Sequence, residues 1–183
     1  MGKIVFNPIQ FGSVSEYNHG DKLRRTDPAA LYISRYQNPG DAFRSLLQFD
    51  LGSLPVGQDY RTAYLQLYIY RNQILKGTIQ ASVHAVMAPW DQHSLTWDVK
   101  PPYSDTLQTV IIPAGWKGFV IFEISDLLQS WLNGTIENHG LVIIGDEIRD
   151  NLVAFASGSY SERDKHPQLI LIPSSSKQDY GLI

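Results

Sequence analysis

The sequence predicts an all-β protein: an antiparallel β-sandwich of jelly-roll type with one short helix near residues 126–133. Three observations carry this expectation. Apolar residues recur with period two in many short runs, turn-forming clusters separate those runs, and one segment alone has helical spacing. Connections this short cannot carry parallel crossovers, so neighbouring strands should run antiparallel.

Taken in chain order, KIVFNPIQFGSV (3–14) is apolar enough to add a strand, and ALYIS (30–34) is a further candidate. RSLLQFDL puts Leu47, Phe49 and Leu51 on one face, opposite Leu46, Gln48 and Asp50. In TAYLQLYIY, Ala63, Leu65, Leu67 and Ile69 share one face, and Tyr64, Gln66, Tyr68 and Tyr70 share the other. IQASVHAVM alternates in the same way, with Ile79, Ala81, Val83, Ala85 and Met87 inward and His84 on the polar face. FVIFEI, GLVII and LVAFAS are heavily apolar and suit inner strands, and PQLILIP closes the set. Between them NPGD, LPVGQ, IPAGWKG, NGTIENHG and SGSYSERDKHP read as turns and loops. SDLLQSWLNG differs: Leu127, Leu128, Trp131 and Leu132 form one helical stripe. Ser125 is the expected N-cap, Asp126 favours the helix start, and Asn133 or Gly134 supplies the C-cap. We expect one domain over 1–183, with 1–12 and 174–183 as terminal extensions.

Composition narrows the function. A net charge of −3 without a basic stripe excludes nucleic acid as an expected partner. No apolar run has the roughly 18–20 residues of a membrane helix, so no membrane insertion is expected, and the N-terminus does not read as a signal peptide. The absence of cysteine removes disulfides, thiolate ligands and a cysteine nucleophile. His19, His84, His93, His139 and His166 lack metal-binding spacing, and neither a GxSxG elbow nor a phosphate loop occurs. No cofactor, no metal and no enzymatic activity are expected. Asp146, Glu147 and Asp150 in GDEIRDN offer calcium-type oxygens, but without EF-hand spacing and beside Arg149, so a solvated acidic loop is the preferred reading. NGT at Asn133 is formally a glycosylation sequon, yet the Asn and Gly are already explained by a helix end.

The stretch PWDQHSLTWDVKPP (89–102) raises a sharper question, because Trp90 and Trp97 with Asp91, His93 and Asp98 could form a site. Five blocks bear on it: RSLLQFDLGSLP (44–55), AYLQLYIY, WDQHSLTWDVKP (90–101), FVIFEISDLLQSWLNGTIENHGLVI, and FASGSYSERDKHPQLILI. In their order and spacing, from about Leu31 to Ile172, the chain resembles the DNRLRE-type domain, a β-sandwich related to the disaggregatase repeats. The resemblance implies that Trp90, Trp97 and Trp131 are structural hallmarks, the first two pinning a long loop. It also implies a non-catalytic module of the kind found beside polysaccharide-active enzymes or on cell surfaces, with some members binding carbohydrate. Here GSYSERD displaces the family's arginine–glutamate pair to Glu162 and Arg163.

Two functions follow as expectations. The first is a structural subunit that assembles with copies of itself, as a filament or layer on a cell or spore surface. Ile4, Val5, Phe6, Ile9 and Phe11, with Tyr180, Leu182 and Ile183, would add strands to a neighbour. The alternative for that N-terminal strand is completion of its own sandwich. The second function is a carbohydrate-binding module for a polysaccharide, using Tyr68, Tyr70, Tyr103 or Trp116 as stacking rings.

Overall fold

The computed structural model describes residues 2–20, 27–55 and 59–174. Among these residues it contains strands β1 (Ile4–Phe6), β2 (Gln10–Ser15), β3 (Ala30–Arg35), β4 (Ala42–Gln48), β5 (Tyr60–Asn72) and β6 (Thr78–Ala85). These are followed by β7 (Gln108–Pro113), β8 (Gly118–Glu123), α1 (Ser125–Leu132), β9 (Leu141–Ile144), β10 (Val153–Ala156) and β11 (Gln168–Pro173). The pairings between these strands are antiparallel. The fold is therefore the all-β sandwich predicted, curled into a half-barrel.

One layer is built on β5. Its thirteen residues pair along one edge with β11 and then β10, and along the other with β8. β1 extends this layer beyond β11. The second layer runs β2, β4, β9, β6, β7. β3 belongs to both: Ala30–Ile33 pair with β10, then Ser34 and Arg35 pair with β4. At that crossing Ser34 is buried with φ at +74°, a left-handed backbone uncommon outside glycine.

The inward faces make the core. Leu65, Leu67 and Ile69 of β5 meet Ala81, Val83, Leu47 and Ile143 from the opposite layer, with Phe122, Phe155 and Leu169 beside them. Each is fully out of water, worth about 1.5–3 kcal/mol per large side chain. α1 closes one end through Leu127, Leu128 and Trp131. A smaller cluster lies on the outer face of the second layer, where Val14, Leu46, Val86 and Val142 pack under Trp90, Leu95 and Trp97.

Several local expectations are corrected. Ser125 does not cap α1; Ile124 occupies the cap position, while the Ser125 hydroxyl accepts the Ala63 N–H at 3.0 Å and donates to Glu123. A bond to the neighbouring strand takes the oxygen that the helix end would have used. Leu132 is 44% exposed, so the buried stripe ends at Trp131. β8 is an edge strand, not an inner one, because it pairs with β5 alone; Phe119 and Ile121 consequently face solvent. Met87 is exposed since β6 stops at Ala85.

Candidate functional site

The alternation of β5 that buries Leu67 and Ile69 sends Tyr68 and Tyr70 to the outer face of the first layer. Neighbouring strands bring further rings to them. Phe119 is the cross-strand partner of Tyr68, and their rings meet edge to face at 5.0 Å. Tyr70 meets Tyr160, from the β10–β11 loop, at 5.0 Å and hydrogen-bonds to Tyr32 on β3. Tyr32 in turn meets Phe43 of β4 at 5.4 Å. The result is an aromatic belt: Phe43, Tyr32, Tyr70 and Tyr160, then Tyr68 and Phe119. Most of these rings are half-buried, but Phe119 is 41% exposed and the adjacent Ile121 52%. Lys165 holds its ammonium over the Tyr68 ring at 4.8 Å and pairs with Glu162. Burial, then the neighbouring Tyr32, push the Tyr70 phenol above its ordinary value, so it stays a neutral donor.

Beside this belt lies a cavity of about 220 Å³ between β2, residues 92–97 and the approach to β3. Phe11, Leu95 and Trp97 are the large apolar side chains lining it, and Asn18, Asp27, Gln92 and His93 bring polar groups. Phe11 packs so closely on Gly158 that a methyl there would lie 2.5 Å from the ring. The Phe11 N–H, on the edge of β2 away from β4, donates to Gln92 Oε1 at 3.1 Å.

The tryptophan stretch crosses the outer face of the second layer, and its residues 92–97 also wall the cavity. Trp97 has two cations over its ring, the Lys100 ammonium 4.1 Å from the centroid and the Arg44 guanidinium 4.8 Å away. Arg44 forms a two-pronged ion pair with Glu147 at 2.6 and 2.9 Å, which raises its affinity for the proton further. Burial, then Arg44, hold the Lys100 ammonium below its ordinary value. Trp90 anchors the same segment, its indole donating to the His139 carbonyl at 2.9 Å. Trp90 and Trp97 pack on Val14, Leu46, Val86 and Val142, which lays the loop across the second layer.

The four rings named from sequence are not brought together. Tyr68 and Tyr70 share the belt, whereas Trp116 sits at the β7–β8 turn, tied by its carbonyl to the Asn72 amide at 3.0 Å. Tyr103 lies with Arg44 and His84 on the far layer. His84 is buried and held by Ser82 and the Ser104 carbonyl. Phe43, Tyr32, Phe119 and Tyr160 were not singled out from sequence. Phe119 carried the only usable signal, an alternation in GFVIFE; Tyr160 reaches the belt through a loop that no periodicity describes.

The acidic loop is engaged internally. Asp146 accepts the N–H groups of Ile148 and Arg149 and the Arg149 guanidinium, Glu147 binds Arg44, and Asp150 accepts the Gln37 N–H. Among the described residues no group of three or more histidines and acids converges as a metal site, and no helix is long and apolar enough to cross a membrane.

Of the residues assigned to subunit contact, Ile4, Val5, Phe6 and Phe11 lie in strands of the chain's own sheets. β1 pairs with β11, and Ile4, Phe6 and Phe11 pack on the core, while Val5 and Ile9 remain exposed. This is the alternative in which the N-terminal strand completes its own sandwich. Tyr180, Leu182 and Ile183 lie outside the described residues.

The sequence profile of carbohydrate-binding module family 96 matches residues 15–173. Among curated proteins none matches the chain.

Proposed function

The chain belongs to carbohydrate-binding module family 96, and from that premise we propose that it holds a polysaccharide across the aromatic belt without chemically altering it. The observation that carries this reading is the row of rings itself. Sugar rings have apolar C–H faces and polar edges, so they settle on aromatic surfaces while their hydroxyls bond to flanking polar groups. Phe119 is the most exposed ring of the row, Tyr68 braces it from the side, and Gln66 and Lys165 stand near enough in the fold to meet hydroxyls.

A module of this kind works outside the cell or at its surface, where polysaccharides are found. The finer DNRLRE-type assignment rests on the five sequence blocks. Ile4 and Phe6, the expected joint of a filament, pair and pack within the chain, which gives a self-assembling filament no support.

The test is native affinity electrophoresis of the intact chain through gels containing β-glucan, xylan, pectin or alginate, with soluble chitin as a further probe. Retardation in at least one gel, lost in the Tyr68→Ala/Phe119→Ala double variant, is the expected result. Equal mobility in every gel would overturn the reading.

A further inference from the structure

We propose that the cavity beside the belt receives the terminal ring of the polysaccharide, so that the module recognises chain ends and not only chain surfaces. This rests on the polysaccharide reading above and makes it more specific.

Size is the first argument. About 220 Å³ holds roughly seven waters at about 30 Å³ each, which is the scale of one sugar ring and not of a chain passing through. Lining is the second. Leu95 and Phe11 provide an apolar wall for one face of a ring. Asp27 offers acceptors only, Asn18 and Gln92 offer both senses, and His93 adds an imidazole. A terminal ring carries one more free hydroxyl than an interior ring, and a mixed donor and acceptor set suits it.

The third argument is continuity. Ser159 lines the cavity and is followed directly by Tyr160 of the belt. Ala30 lines it two residues before Tyr32, on the same strand. The Asp27 charge is felt by Tyr70. A chain whose last ring sits in the cavity can therefore lay its following rings on Tyr160, Tyr70 and Tyr68. β2 supports the geometry: Glu16 donates to the Ala42 carbonyl at 2.8 Å, so the even-numbered residues of β2 face β4 and its odd-numbered residues present their backbone to the cavity.

The experiment titrates the intact chain, by calorimetry, with a polysaccharide retained in the gels above, before and after partial acid hydrolysis at equal mass. If ends are bound, the number of sites per gram rises in proportion to the ends created. Ser159→Trp, which fills the mouth from an exposed position whose backbone N–H is already held by Ser157 Oγ, should weaken binding to the fragments by about tenfold or more. Circular dichroism confirms that this variant folds, and the hydrolysis arm needs no variant. Sites per gram that stay constant, or fragments bound by Ser159→Trp as tightly as by the parent, would overturn the proposal while leaving the belt reading intact. A parent chain that binds neither form overturns both.

Discussion

Replacing Phe119 with alanine tests the belt most directly. The ring is 41% exposed, and a Phe side chain offers on the order of 200 Å² in all, so about 80 Å² remains for a ligand to cover. At about 25 cal/mol per Å² this is worth up to about 2 kcal/mol, or roughly thirtyfold in Kd. A sugar covering half of that area gives about 1 kcal/mol, roughly fivefold. The folded state loses less, because the ring is on an edge strand and its main partner is Tyr68 at 5.0 Å, a contact worth about 0.5–1.5 kcal/mol. Phe119→Ala should therefore weaken polysaccharide binding between fivefold and thirtyfold in calorimetric titration, with a urea midpoint only slightly lowered. An unchanged Kd in a folded variant would refute the argument that exposed belt area carries the affinity. A collapse of stability with no specific loss of binding would refute it equally.

Three further outcomes are expected. Gly140 has φ at +89° and a methyl added there would lie 2.1 Å from the Leu47 carbonyl oxygen, so Gly140→Ala should cost about 3 kcal/mol or more in urea denaturation, from left-handed strain plus overpacking. Trp97→Ala should cost about 3 kcal/mol of stability and, because Trp97 lines the cavity, should weaken binding of hydrolysed fragments more than of the uncut polysaccharide in calorimetric titration; Kd values equal to the parent's for both in the folded variant would refute a part for this ring. At Asp146, burial raises the carboxyl but the Ile148 and Arg149 N–H groups and the Arg149 guanidinium outweigh it, leaving the group below its ordinary 3.8. Its contribution is thus complete above pH 3.8 and lost as pH falls through the lowered folded value, so the stability gap between parent and Asp146→Asn should shrink in acid.

What could be read beforehand depended on how local the cause was. Leu65, Leu67 and Ile69 betray their burial by alternation, because a strand has only two faces, and all three are buried. Leu127, Leu128 and Trp131 betray a helix for the corresponding reason. β8 misled: FVIFE is apolar at nearly every position, as an inner strand would be, and its edge place depends on β7 and β8 joining as a turn between layers. The belt was half legible. Tyr68 and Tyr70 follow from strand period, but Phe119 joins through register with β5, Tyr32 through a strand that changes layer, and Tyr160 through a loop. For Trp97 the resemblance implied a pinning role; the two cations over its ring come from Lys100, three residues on, and from Arg44 on a distant strand.

The strand that belongs to both layers has a consequence for how the protein is made. Leu31 of β3 must wait for Phe155 of β10, about 120 residues later, and Val5 of β1 for Ile170 of β11. At about 5–20 residues per second on the ribosome, β1 and the first part of β3 stay unmatched for on the order of ten seconds, while β2 finds β4 much sooner. The sandwich cannot close progressively from its beginning; it closes when its last strands emerge. A nascent chain of this kind offers unpaired edges to its neighbours throughout that interval, and its yield in a cell should respond to translation speed and chaperone supply more than the finished fold would suggest.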